Sequence, residues 1–310
     1  MSKTTHPTNL DTKTILKSVW WILILVFISL FLYRNLGTAI SVIEKIPVAT
    51  LSLAFLAILV AKTFLVEVMR LALLRFDIRF SYRRCFEIYN ITQLGKYIPG
   101  SIWQFVGRIT LYREHNLNNK TIRNTLLVET FWVVFSAFVI GTALVLIMQQ
   151  PLLMKLLQRL PEPFTQPIFL WVTCGLMATF ALFWRKALTR YFHALKFNLK
   201  SLIVVLALWI CLGFSFWITL TPLIESPPAY LYIVGLYALS YAVGFVVPFA
   251  PAGIGIREAI LVTGLIPYLD TNSAVVLATI NRIFYLSSEV GLVLVISSMK
   301  HKWNKETDKS

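Results

Sequence analysis

Long apolar blocks separated by short basic connections organise this chain. About six of them, at 15–33, 47–74, 124–148, 167–184, 201–220 and 273–299, approach or exceed the roughly 20 residues that a helix needs to cross a bilayer. Two further apolar stretches, 86–112 and 230–267, are interrupted by proline and glycine, at Pro99-Gly100 and between Pro248 and Gly255. Lys3, Lys13 and Lys17 precede the apolar run 19–33 of the first block in the manner of a signal peptide. No small-x-small cleavage site follows it, so the expectation is an uncleaved first span.

The charges between the blocks are lopsided. Arg75, Arg79, Arg83 and Arg84 follow the second block, and Arg108, Arg113, Lys120 and Arg123 precede the third. Arg185, Lys186, Arg190, Lys196 and Lys200 lie between the fourth and fifth, and Lys300, Lys302, Lys305 and Lys309 close the chain. The alternate connections are poor in base. By the positive-inside rule the basic connections and both termini are cytoplasmic, in a multi-pass protein of the plasma (inner) membrane. Stretch 86–112 then begins and ends on the cytoplasmic side, and 230–267 begins and ends outside. Each is a helical hairpin, either re-entrant or a pair of full spans, and 230–247 is long enough to cross alone.

Composition agrees with a bilayer solvent: 57% of residues are hydrophobic and 14% charged, and mean hydropathy is +0.73. Soluble domains carry about 25% charged residues. Residues 1–310 therefore read as a single transmembrane domain: two spans over 14–85, a hairpin and span over 86–148, connecting spans over 149–228, and a second hairpin and span over 229–300. The net charge of +15 belongs to the cytoplasmic connections and does not signal nucleic acid, because no basic patch alternates with stacking aromatics. The three cysteines and four histidines are scattered without metal-ligand spacing. No cofactor is expected. A homo-oligomer is compatible with the sequence.

The two breaks share a local pattern. The first reads Gly95-Lys96-Tyr97-Ile98-Pro99-Gly100 with Trp103 and Arg108 following; the second reads Gly244 to Pro248, then Pro251-Ala252-Gly253 and Arg257. Each precedes a long span with polar groups inside it, Glu129 in one and Asn281 and Arg282 in the other. Facing opposite sides, they make a candidate inverted repeat, the layout of many secondary transporters. In hydrocarbon every backbone N–H and C=O must be paired, so a break is tolerated only inside protein or beside a water-filled cavity. A helix restarting after it presents free N–H groups and a positive dipole end to anions. Gly253 and Gly255 leave the backbone open to a ligand, and Arg257 on the first turn beyond suits a phosphate oxyanion. A simple kink, with Arg257 and Glu258 reaching the interface, is the plainer alternative.

Ionisable residues at membrane depth are expensive and usually functional. Lys62, Glu67 and Arg70 lie in the second block, and Glu67 and Arg70, three apart, suit a structural pair near the cytoplasmic face. Arg282 and Glu289 share a face of the last span, and Glu129 sits near the cytoplasmic start of the third. Glu289, Glu258 and Glu129 are each candidate partners for Arg282. Glu129, Asn281, Arg282 and Glu289 form a candidate polar path. Tyr97 and Trp103 flank the first break, either lining a cavity or belonging to the interfacial belt.

The run Leu94-Gly95-Lys96-Tyr97-Ile98-Pro99-Gly100 with Trp103 and Arg108, together with Pro251-Ala252-Gly253-Ile254-Gly255-Ile256-Arg257-Glu258-Ala259, resembles the lysylphosphatidylglycerol synthase transmembrane-region family, which includes the flippase domain of the multiple peptide resistance factor. The resemblance runs from the first span to the last. The second motif is the more specific, and Ala252 stands where the first glycine of the family's pair often stands. The resemblance implies movement of a membrane phospholipid or lipid-linked glycan between leaflets. Bifunctional relatives carry a soluble domain that transfers an aminoacyl group; the expectation here is translocation without that synthesis. Pro251, Gly253, Gly255, Arg257 and Glu258, with Lys96, Pro99, Gly100, Trp103 and Arg108, are the candidate substrate-binding residues.

Two other readings remain open on the sequence. An integral membrane glycosyltransferase, or an accessory protein of lipid or glycan biosynthesis, is one. Against an enzyme, the external connections hold only isolated acids (Glu44, Glu162, Glu225, Asp270) and no Asp-x-Asp occurs. An organic-anion transporter is the other. No Gly-x-x-x-x-Gly-Lys-Ser/Thr loop occurs to bind a nucleotide.

Overall fold

The structure, a computed structural model, describes residues 36–98, 102–148, 199–247 and 250–307. The blocks at 15–33 and 167–184, and Pro99, Gly100 and Pro248, lie outside the described residues. The described chain is helical: α1 Leu36–Glu44, α2 Val48–Leu74, α3 Tyr82–Gln93, α4 Trp103–Glu114, α5 Asn119–Met148, α6 Leu199–Leu220, α7 Tyr230–Val246, α8 Ile256–Leu265 and α9 Thr271–Thr307. Helices α2, α5, α6 and α9 are long and apolar enough to span a bilayer. Leu53, Phe138, Ile203 and Leu294 hold their side chains outward along these helices, an arrangement that hydrocarbon solvent makes favourable. This is an all-α multi-pass membrane protein.

Local chemistry sets the helix ends. The Pro47 carbonyl accepts from the Thr50 and Leu51 N–H groups and starts α2. Past its C-terminus Asp77 adopts φ 60°, and the Ile78 N–H returns to the Leu73 carbonyl. Asn116, φ 58°, does the same after α4, with Leu117 bonding back to Tyr112. Asp and Asn tolerate this left-handed position better than other side chains, and the closure satisfies carbonyls that a helix end otherwise leaves bare. Asn118 caps α5 through the Thr121 N–H at 2.8 Å. Asp270 caps α9 through the Ser273 N–H at 3.0 Å, and hydrogen bonds from Ser273 hold its carboxyl below the ordinary aspartate range.

Both broken stretches fold as hairpins. Helices α3 and α4 have 12 residues each, so each arm is about 18 Å long at 1.5 Å per residue. That is short of the roughly 30 Å hydrocarbon core, and the first hairpin has re-entrant dimensions. Its tip is a 3-10 turn, Leu94–Tyr97. There a side chain on Gly95 would stand 2.6 Å from the Gln104 nitrogen, so only glycine lets the arms close. In the second hairpin α7 has 17 residues and α8 has 10, about 26 Å and 15 Å. One arm nearly spans and the other does not.

The tip of the second hairpin is a 3-10 turn, Pro251–Gly253, and it packs against the tip of the first. The breaks meet. Three residues near this tip, Ala252, Gly253 and Gly255, have φ of 52°, 70° and 85°. A Cβ on Gly253 would also lie 2.9 Å from the Gly244 carbonyl oxygen. Gly253→Ala is therefore expected to destabilise the protein by about 1–3 kcal/mol, from the left-handed backbone and the collision together. Its midpoint of thermal unfolding in detergent checks this. An unchanged midpoint would mean that the tip relaxes freely.

Around the tips the long helices form a close-packed frame. α5 lies along α7, where Gly141 meets the Leu239 backbone and Gly235 meets Leu144. Small residues let helices approach where hydrophobic driving force is absent. α2 packs on α6, and α9 closes the bundle against α1, α2, α3 and α8. The Trp209 indole donates to Ser136 Oγ at 2.9 Å and ties α6 to α5.

Candidate functional site

Where the hairpin tips meet, the helices bring buried charges together that are far apart in sequence. Lys62 of α2 and Lys96 of the first tip both donate to Glu289 Oε1 on α9; the Lys96 distance is 2.5 Å. Lys62 and Glu289 are each 1% exposed. The two ammonium groups also flank the Tyr285 ring, at 3.4 and 4.9 Å from its centre. One carboxylate thus serves two lysines.

Arg108 of α4 donates to Glu129 of α5 and lies 4.5 Å from the centre of the Tyr89 ring. Its Nε donates to Thr92 Oγ1 at 3.2 Å. A charge read from the sequence as a phosphate ligand is therefore matched by a carboxylate within the chain. Of the three acids open as partners for Arg282, the structure brings Glu258, at 3.5 Å. Arg282 also donates to the Ala252 carbonyl at 2.8 Å and pins the second tip to α9.

Arg257 differs from all of these. It is 7% exposed, yet no carboxylate pairs with it among the described residues. Its guanidinium sits among three tyrosine rings, 5.4 Å from Tyr237, 5.1 Å from Tyr241 and 5.5 Å from Tyr285. Ring faces stabilise a cation without neutralising it, by about 0.5–2 kcal/mol each. Among the described residues its Nε has no hydrogen-bond partner, and neither has Arg282 Nη1. Gly244 makes room for it: a Cβ there would collide with Arg257 Cγ.

Arg257, Lys96, Arg108 and Glu129 line one cavity of about 240 Å³ between the two hairpins and α5. Gln93 and Gln104 add polar wall, and Gly244, Ala252 and Gly253 add bare backbone. A second, apolar groove of about 490 Å³ runs beside it between α4, α5 and α7. The two share Phe105, Thr130 and Phe245, so the groove begins where the cavity ends. Arg113 and Arg123 stand along the groove.

The remaining candidates fall elsewhere. Glu258 turns back on its own helix and accepts the Gly255 N–H at 2.7 Å. The helix restart, expected to offer free donors to an anion, has one of them filled by its own carboxylate. Pro251 is buried within the tip, Gly255 and Trp103 are exposed, and none of the three lines the cavity. Asn281 is buried and accepts from the Tyr237 hydroxyl at 3.1 Å. It therefore holds one ring of the Arg257 box. Glu67 and Arg70 form a two-point pair at 2.7 and 2.8 Å, joined by Lys200 at 3.1 Å. To the candidate residues the structure adds Lys62, Tyr237, Tyr241 and Tyr285. A signal existed: Tyr237 and Tyr241 lie four apart in the middle of an apolar run, away from the interfacial positions that tyrosine usually takes.

A family model described as "Lysylphosphatidylglycerol synthase TM region" matches residues 16–288. No curated protein matches the chain.

Proposed function

The chain belongs to the lysylphosphatidylglycerol synthase TM-region family, and from that premise we propose that it is a lipid translocase. In this reading it moves a phospholipid or a lipid-linked headgroup between leaflets. The observation that carries the proposal is the junction of a cationic cavity with an apolar groove through Phe105, Thr130 and Phe245. Arg257 supplies an unneutralised guanidinium at the cavity wall, the residue type best suited to a phosphate oxyanion. A phosphate held there leaves its hydrocarbon chain beside the groove, so the headgroup passes through protein while the chain stays in apolar surroundings.

The two breaks make the passage physically reasonable. Non-helical backbone is tolerated at membrane depth only when protein or a wet cavity surrounds it, and here the tips pack on each other beside the cavity. Hairpins entering from opposite faces give a site that either side can approach. The charge asymmetry supports cytoplasmic termini, and the plasma (inner) membrane is the location proposed. Single cysteines at Lys120 and Ser226, labelled from one side at a time, are expected to react from the cytoplasm and from outside respectively. The reverse pattern would overturn the orientation, and labelling of both positions from one side would break the inverted arrangement.

A transporter of soluble anions would use the cavity and have no need of the groove. Ile109→Trp, which fills the groove away from the charges of the cavity, separates the two readings. It is expected to slow movement of a fluorescent phospholipid in proteoliposomes about tenfold, equivalent to about 1.4 kcal/mol of added barrier. Uptake or binding of inorganic phosphate should not change. An unchanged rate of lipid movement would favour a soluble substrate, and equal loss of both would mark a general distortion that thermal unfolding would reveal.

A further inference from the structure

The buried charges at the hairpin tips do not cancel. Among the described residues, five cations, Lys62, Lys96, Arg108, Arg257 and Arg282, face three carboxylates, Glu129, Glu258 and Glu289. One surplus positive charge arises because Lys62 and Lys96 share Glu289; the other is Arg257. Lys62, Lys96 and Arg257 all stand against the same Tyr285 ring, so the surplus is concentrated. Of the chain's 14 acidic residues, only Asp11, Glu162, Glu306 and Asp308 fall outside those whose side chains the structure describes. All four lie in tails or a connection of the sequence, none within an apolar block.

A buried charge without a partner is costly, and more so in a membrane. A site that keeps two of them open to a cavity is suited to a ligand that brings two negative charges. We propose that the cavity selects a lipid whose headgroup carries two negative charges, a terminal phosphomonoester or a pyrophosphate, over a singly charged phosphodiester, and rejects a zwitterionic or cationic headgroup. The inference rests on the translocase reading above and names its substrate class. A phosphomonoester, with its second ionisation near pH 6, presents about two charges and three acceptor oxygens at neutral pH. A phosphodiester presents one charge and leaves half of the surplus uncovered. A lysine-bearing headgroup adds a cation to a site that already has too many. The cavity volume, about 240 Å³, suits a compact headgroup.

The test uses the full chain in proteoliposomes and in detergent, with fluorescent phosphatidic acid, phosphatidylglycerol, phosphatidylethanolamine and lysylphosphatidylglycerol of identical acyl chains. Phosphatidic acid is expected to move, and to bind, about tenfold better than phosphatidylglycerol, with the other two slower still. Lys96→Gln removes one surplus charge and leaves Lys62 and Glu289 as a neutral pair. It should bring phosphatidic acid and phosphatidylglycerol to equal rates. If that variant does not accumulate, Thr130→Glu on the cavity wall lowers the net charge by the same amount and should do the same. Movement of all four lipids at one rate would overturn the charge selection while keeping the translocase. Thermal stabilisation in detergent by phosphatidic acid above the others, with no lipid moving, would keep the selection and overturn translocation. Inorganic phosphate that binds and crosses without lipid would keep the dianion and overturn its lipid source. No headgroup order in either readout would overturn the inference.

Discussion

Glu289→Gln is expected to be the most damaging single substitution in the protein. The change keeps size and shape and removes one negative charge. Lys62, 1% exposed, and Lys96 then lose their shared carboxylate together. Breaking a buried ion pair from one side costs about 3–5 kcal/mol, because the abandoned charge stays in a medium that cannot solvate it. Here two ammonium groups are abandoned, which puts the loss at the upper end of that range. That is a large share of the 5–15 kcal/mol that holds a typical domain folded. The variant should accumulate poorly, and its midpoint of unfolding in detergent should fall sharply. Adding Lys62→Met should recover much of the loss, since the apolar side chain refills a similar volume beside Tyr285. If the single variant melts like the wild type, the triad is not the strong point of the fold that its burial implies.

Arg257→Ala is expected to leave the fold largely in place and to remove transport. The guanidinium has no carboxylate to leave stranded, so its loss creates space among Tyr237, Tyr241 and Tyr285 but no orphaned charge. Truncating a buried group that holds a charged ligand costs about 2–5 kcal/mol of binding, which is about 30-fold or more in affinity at 1.4 kcal/mol per decade. Arg257→Lys should recover only part of that. Lysine keeps the charge but loses the planar fork that presents two donors to one phosphate and stacks on ring faces. Gly244→Ala offers a second route to the same defect. It leaves every charge in place and forces the Arg257 side chain aside, because the new Cβ occupies the space of Arg257 Cγ.

Much of this architecture was legible in the residues because it depends on local rules. Apolar length announces α2, α5, α6 and α9, and proline and glycine announce both breaks. The pairing of charges was not legible. Lys62 and Glu289 stand 227 positions apart, and Lys96 and Glu289 stand 193 apart. Which of them meet depends on how each helix is rotated in the bundle, and helix rotation follows from packing such as Gly141 on α7. The sequence therefore presented Arg108 and Arg257 as alike. Packing gave one a carboxylate and the other a ring of tyrosines. Glu258 shows the same limit on a shorter scale: the family resemblance implied a substrate contact, and the positive φ of Gly255 turns it back to cap its own helix. Ala252 is a further case. Its φ of 52° places it where glycine is the residue of choice, so the family's usual glycine there has a backbone reason. Arg282, bonded to the Ala252 carbonyl, holds the position against that preference.

The central claim is that a lipid headgroup crosses at the meeting point of the two broken hairpins, past Arg257. The most direct measurement reconstitutes wild type and Arg257→Ala at equal density into liposomes carrying a trace of fluorescent anionic phospholipid, then adds a quencher that reaches only the outer leaflet. Wild-type vesicles are expected to lose nearly all fluorescence as inner-leaflet lipid is brought out, while Arg257→Ala vesicles keep their protected fraction as protein-free vesicles do. Loss at the same rate in both preparations, or wild-type vesicles indistinguishable from protein-free ones, would contradict the account.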